Sequence, residues 1–207
     1  MQKIALVTPN TDTFTNPTMT TLFHGLKMRG VEVVLFGPMQ QPSCPDNLTN
    51  VREIHSVFRL NLLRNPKYYL KHWVSYLRIV RTIRREKISV LMAVDPMRLI
   101  AGGRIKKLMS NSIHLSYLSF EIFFREELSG HYLAVKEKEI YYSRYIDSLL
   151  TQDEKRRELL IAENNIRLTS EKIALVPVSP MKIEVDEKPD LHTVLNIPKD
   201  KKLAVYS

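Results

Sequence analysis

The sequence predicts a doubly wound α/β domain, built on a mostly parallel sheet of about seven strands. Two observations carry that prediction. Short apolar runs rich in Val, Ile and Leu recur about seven times, and stretches with helical spacing separate most of them. The runs are near-continuous rather than alternating, as in strands covered on both faces by helices.

The first run is KIALVT (3–8), followed by the polar loop PNTDTFTNP and a helical stretch with Leu22 and Leu26 that closes at Gly30. Val31 to Phe36 is the second strand, ended by Gly37-Pro38. A strand–helix–strand unit of this length favours parallel pairing through a right-handed crossover. A Pro-rich loop (38–45) and a strand near Glu53–Val57 come next. A long helix then runs from Pro66 to Glu86, with Asn65 as its N-cap and proline at its first position. ISVLMAV (88–94) is a strand, Met97–Met109 a helix and IHLSYLS (113–119) a strand. Glu126–Ile146 reads as a helix, DSLLT (147–151) as a strand and Asp153–Glu163 as a short helix. KIALVPV (172–178) closes the series. Gly102-Gly103 falls inside a helical pattern, where it permits close packing.

Beyond residue 178 the texture changes. SPMKIEVDEKPD (179–190) is polar and flanked by prolines, and the chain returns to an apolar run only at KLAVYS. The expected organisation is therefore an α/β domain over 1–178, a linker over 179–200 and the first strand of a second domain over 201–207. That last strand could alternatively pair with an edge of the first sheet.

Composition sets the broad class. With 44% hydrophobic and 26% charged residues, the 207-residue chain is an ordinary globular sequence. Cys44 is the only cysteine, so no internal disulfide forms. With no export-type leader, this points to the cytosol. No run approaches the ~20 apolar residues of a spanning helix. The net charge is +9, and residues 52–87 alone hold ten Lys/Arg against two Glu.

Chemistry is expected where open parallel sheets bind ligands, beyond the carboxyl ends of the strands. Asn10, Thr11 and Asp12 follow the first strand, Asp95 the fourth, Glu121 the fifth, and Thr151 and Asp153 the sixth. Carboxylates and amides suit sugar hydroxyls. Asp95 and Asp153 could equally serve as helix N-caps. The chain has no G-x-G-x-x-G, no P-loop, no nucleophile elbow and no metal-ligand spacing among its histidines. Neither a metal nor a cofactor is expected in this domain.

The charged segment forms an amphipathic helix. Arg64, Lys71, Arg78 and Arg85 recur every seven residues, and Lys67 and Arg81 fall beside them. At about 100° per residue these six share one side, and Tyr69, Leu70, Trp73, Tyr76, Leu77, Val80 and Ile83 share the other. The expectation is an apolar face packed on the sheet and a basic face turned to an anionic membrane, each basic residue adding about 1 kcal/mol there. Nucleic acid is not expected as a partner, because the aromatics lie on the wrong face and no binding module is present.

In order and spacing, these motifs resemble the N-terminal domain of a GT-B glycosyltransferase of the family 4 kind. KIALVTPN…LFHGLKMRGVEVVLFGP is similar to its first strand–helix–strand. LMAVDPMRLIAGGRIKKL…HLSYLSFEIFF resembles its strand–Asp-Pro–helix–strand–Glu module. YSRYIDSLLTQDEKRRELL and KIALVPVSP match the segments that lead to the interdomain linker. The resemblance implies transfer of a sugar from a nucleotide-sugar to an acceptor. The acceptor, a glycan or a lipid-linked sugar, would be held by Asn10, Thr11, Asp12, Asp95 and Glu121. Asp95 is the candidate catalytic residue, either as a base or as a binder of sugar hydroxyls. The family's tendency is toward retention. The nucleotide-sugar would bind a second domain beyond Ser207, so these residues alone would be inactive. The first loop lacks the Gly-Gly pair that many relatives carry. Two other readings fit the same residues: a sugar-nucleotide epimerase of the same plan, or a non-catalytic module that binds membranes or polyanions.

Overall fold

The computed structural model describes residues 2–8, 13–14, 16–37, 48–55 and 66–176, with backbone only at 55 and 66–72. The expected linker (179–200) and second-domain strand (201–207) lie outside these residues. The strands are β1 (Gln2–Val7), β2 (Val31–Gly37), β3 (Val51–His55), β4 (Val90–Val94), β5 (His114–Leu118), β6 (Ser148–Thr151) and β7 (Ile173–Leu175). They form one sheet in the order β3-β2-β1-β4-β5-β6-β7, and every neighbouring pair is parallel. The helices are α1 (Pro17–Met28), α2 (Pro66–Arg85), α3 (Asp95–Leu108), α4 (Gly130–Ser143) and α5 (Glu154–Asn164). The predicted doubly wound α/β class is the one observed.

The chain builds outward from β1 in one direction and from β4 in the other. Between those two strands lies the switch point at which such sheets open a crevice. Side chains alternate across the sheet. Ala5, Val7, Val34, Phe36, Leu91, Ala93, Leu115 and Tyr117 join a core layer with α2, α3 and α5. Ile4, Leu6, Val33, Leu35, Met92, Val94 and Leu118 face the other way, onto Met19 and Phe23 of α1. At ~1.5–3 kcal/mol for each fully buried large aliphatic or aromatic side chain, these two layers supply most of the drive to fold.

Helix ends follow local chemistry. The Asn16 side-chain oxygen accepts from the N–H groups of Thr18 at 3.0 Å and Met19 at 3.2 Å, and Pro17 opens α1. Gly30 then takes the left-handed φ of 67° that lets the chain turn into β2. The helix predicted over Glu126–Ile146 is shorter than expected. Arg125–Glu127 form a 3₁₀ turn, and α4 starts only at Gly130, itself left-handed at φ 54°. Helix α3 begins two residues earlier than expected, at Asp95.

The Gly102-Gly103 pair does what its sequence suggested. A Cβ on Gly102 would sit 2.8 Å from Leu115 Cδ1 and 3.2 Å from Ala93 Cβ, so α3 lies tight on the sheet. A Cβ on Gly103 would come within 2.4 Å of Tyr142 Cδ1, so α4 lies tight on α3. Alanine in an open helix interior would gain about 1 kcal/mol over glycine. Gly103→Ala is instead expected to lose about 1–3 kcal/mol in urea unfolding, because Tyr142 must move. A variant as stable as the parent would show that α4 is free to shift.

Behind β5 lies a closed polar network. Lys136 and Glu139 of α4 have fully buried side chains and pair at 3.1 Å. Lys136 also donates to Asn164 Oδ1 at 2.6 Å. Glu139 accepts from Tyr117 Oη at 3.1 Å and from Asn164 Nδ2 at 2.7 Å. β5, α4 and α5 are thereby tied at one point.

Helix α2 is seated differently from the expectation. Ser75, Tyr76, Ile79, Val80, Thr82 and Ile83 are buried, whereas Trp73, Val74 and Leu77 are 53%, 55% and 57% exposed. At about 100° per residue, the helix is rolled by roughly 90° from the orientation that its most apolar arc predicts. The cause is tertiary. Ile79 and Ile83 fit the core with small Ser75 and Thr82 beside them, and Arg104 donates to the Tyr76 hydroxyl at 3.3 Å from α3. Trp73, Leu77 and the exposed arginines thus occupy one face rather than two.

Candidate functional site

The carboxyl ends of β4 and β5 meet at a corner formed by Asp95, Phe120 and Glu121. Asp95 is the first residue after β4, and its backbone is left-handed at φ 65°. For a residue other than glycine this conformation costs on the order of 1–2 kcal/mol. The turn aims the side chain across to β5, where Asp95 Oδ1 accepts from the Phe120 N–H at 2.9 Å. Asp95 therefore does not cap α3. Val94 holds the N-cap position without any side-chain hydrogen bond. Asp153 does act as a cap, with Oδ1 accepting from the Arg156 N–H at 2.8 Å. The two aspartates that read alike in the sequence have different roles.

Asp95 is only 9% exposed, and burial pushes its carboxyl pKa up to about 6. The Phe120 N–H works against that rise, while the Glu121 charge adds to it. A carboxyl at about 6 is ionised at neutral pH, yet basic enough to take a proton from a hydroxyl in a reacting complex. Glu121 itself is exposed. Its backbone carbonyl accepts from Ser119 Oγ at 2.9 Å, which fixes the turn that carries it.

Next to Glu121 lies an open groove of about 450 Å³, lined by Phe120, Ile122, Phe123, Arg156 and Leu159 among others. Arg156, on α5, donates from Nη1 to the Phe120 carbonyl at 2.6 Å and so bridges the end of β5 to α5. An arginine in a charged helix carries no local signal, so nothing in the sequence sets Arg156 apart. Arg98 lies one turn beyond Asp95 and is also buried. Burial pulls the Arg98 guanidinium down to about 10, and Tyr76 and Asp95 act in the opposite sense. The D-P-x-R spacing placed it on the same side of the helix start as Asp95, and that was the available clue.

The structure thus brings Asp95 and Glu121 to one corner. Asn10, Thr11 and Asp12 lie outside the described residues, and so does Arg64. Lys67 and Lys71 fall on α2, where only the backbone is described. Arg78, Arg81 and Arg85 are exposed along α2, although Arg85 also pairs with Glu86 at 3.1 Å. Glu86 in turn takes Lys3 and Arg52. Among the described residues, no group of His, Cys, Asp and Glu is arranged to hold a metal ion.

No family model and no curated protein matches the sequence, but 122 chains of solved structures match the fold. A lipopolysaccharide outer core galactosyltransferase, WaaB, superposes with a TM-score of 0.57 at 12% identity, over 85% of this chain and 45% of its own. Sucrose-phosphate synthase from Thermosynechococcus elongatus gives 0.59 at 11% identity, over 86% and 48%. A putative UDP-N-acetylglucosamine 2-epimerase from Listeria monocytogenes gives 0.55 at 12%, over 83% and 44%. The fold is therefore the Rossmann-like unit of GT-B glycosyltransferases, which sugar-nucleotide epimerases share. This chain spans a little under half the length of each of these proteins.

Proposed function

We propose that the chain is the acceptor-binding half of a glycosyltransferase that transfers a sugar from a nucleotide-sugar to a glycan or lipid-linked acceptor. The observation that supports it is Asp95. It is a buried carboxyl at the switch-point edge of the sheet, held by the Phe120 amide beside exposed Glu121 and its groove. Such a carboxyl can bind one or two sugar hydroxyls, or take a proton from the attacking one. The nucleotide-sugar belongs to a second α/β unit, and positioning and electrostatics between the two units lower the barrier. Asn10, Thr11 and Asp12, after β1, would complete the acceptor site.

The test is direct binding. The 207-residue chain is titrated with a panel of mono- and oligosaccharides and with UDP-sugars, and the ligand's own NMR signals are read. Saccharide binding that is lost in Asp95→Ala and Glu121→Ala supports the acceptor-half reading. Tight UDP-sugar binding without any saccharide binding would overturn it and favour the epimerase plan. Binding of neither class, with the protein's activity in cells untouched by both substitutions, would point to a non-catalytic module.

We further propose that the protein works peripherally at the inner, cytoplasmic face of a membrane, through the basic surface of α2. Arg78, Arg81 and Arg85 are exposed on this helix, and Lys67, Lys71 and Arg64 belong to the same segment. Among the described residues no helix is long and apolar enough to cross a membrane. Contact through these arginines would be with the bilayer surface. Sedimentation with anionic but not neutral vesicles, weakened by salt and by Arg78→Glu/Arg81→Glu/Arg85→Glu, is the expected result.

A further inference from the structure

The roll of α2 leaves an exposed face that differs along the helix axis rather than around it. Seven exposed residues lie within about 140° of circumference: Trp73, Val74 and Leu77, then Arg78, Arg81, Arg84 and Arg85. Among the described residues of this face, the turn from Trp73 to Leu77 is apolar and more than half exposed. The turns that follow are cationic. Trp73 is set against the buried Tyr76 ring in an edge-on contact, with centroids 6.5 Å apart. The Arg104 guanidinium holds the Tyr76 hydroxyl. The indole is therefore braced from below and open above.

We propose that this face enters the bilayer interface, with Trp73, Val74 and Leu77 inserted among the upper acyl segments and the four arginines on anionic headgroups. The inference rests on the membrane reading of α2 and adds to it. Electrostatic contact alone requires no apolar exposure, whereas interfacial helices combine an apolar patch with a basic one. The chemistry selects lipid as the occupant. Tryptophan settles at the level where headgroups meet acyl chains, and a cluster of arginines complements an anionic surface. A folded protein partner would have to offer an apolar pocket followed by an acidic strip along the same helix face.

Trp73 is the only tryptophan in the chain, so indole fluorescence, excited selectively beyond the tyrosine band, reports on this position alone. The 207-residue chain is mixed with vesicles of phosphatidylcholine containing phosphatidylglycerol, with and without brominated acyl chains, and sedimented in parallel. The expected result is co-sedimentation, a blue shift of the emission and quenching by bromines near the headgroup. Val74→Asp with Leu77→Asp should weaken binding on the order of tenfold or more and leave the unfolding curve unchanged, since both side chains are exposed. Co-sedimentation with neither shift nor quenching would overturn insertion while the electrostatic reading survives. Absence of co-sedimentation would overturn both. A blue, acrylamide-shielded emission before any lipid is added would mean that protein already covers the patch, and would also overturn the proposal.

Discussion

Replacing Lys136 by methionine is expected to destabilise the domain by about 3–5 kcal/mol. The volume change is small, so the loss is electrostatic. The Lys136 and Glu139 side chains are both fully buried. Without the ammonium, the Glu139 carboxylate keeps only two neutral donors, Tyr117 Oη and Asn164 Nδ2. Asn164 Oδ1 loses the donor it has at 2.6 Å. Removing one partner of a buried pair leaves an uncompensated charge, and that is the costly outcome. Removing both charges is far milder. Lys136→Met combined with Glu139→Gln should therefore recover a large part of the loss. The measurement is the urea midpoint with the slope unchanged, together with a fall in Tm on the order of 10 °C for the single variant. A single-variant cost under ~1 kcal/mol, or a double variant worse than the single, would show that the network does not hold β5, α4 and α5 together as described.

The second large effect has the opposite sign. Asp95→Asn should make the domain more stable at neutral pH. Its carboxyl stands at about 6 in the folded protein, against about 3.9 in an unfolded chain. The folded state therefore binds this proton more tightly. Its contribution is fully present below pH ~4, is lost as pH rises, and is gone above pH ~6. The gap between those two values is equivalent to at most about 3 kcal/mol. Asparagine keeps a carbonyl oxygen for the Phe120 N–H and tolerates the left-handed backbone, but carries no charge. Unfolding measured from pH 4 to 8 should show a gain near pH 7.5 that disappears by pH 4. If the parent and variant curves stay parallel across that range, the carboxyl is not held in the strained, desolvated state described here. In the proposed acceptor site this carboxyl is the group that meets a sugar hydroxyl. The same substitution should therefore abolish saccharide binding by the chain.

These two residues also mark what the sequence could reveal. Asp95 was visible, because a carboxylate straight after an apolar run sits at the carboxyl end of a parallel strand. Lys136 and Glu139 were not. In the sequence they belong to a charged stretch, AVKEKE, that reads as a solvated helix face. Tyr117 and Asn164, 22 and 25 residues from Glu139 along the chain, turn that stretch inward.

The class of fold, the order of strands and helices and the close approach at Gly102 and Gly103 were legible in the sequence alone. Those properties follow from local periodicity and from the size of single residues, which need no knowledge of what lies opposite. Tertiary structure alone decided which aspartate caps a helix and which reaches across to the next strand, because both have the same local signature. It also decided the seating of α2. Amphipathic spacing ranks the faces of an isolated helix by hydrophobicity, but the sheet and α3 select for shape and for a partner to the Tyr76 hydroxyl. The face that fitted was not the most apolar one, and Trp73 was left on the outside.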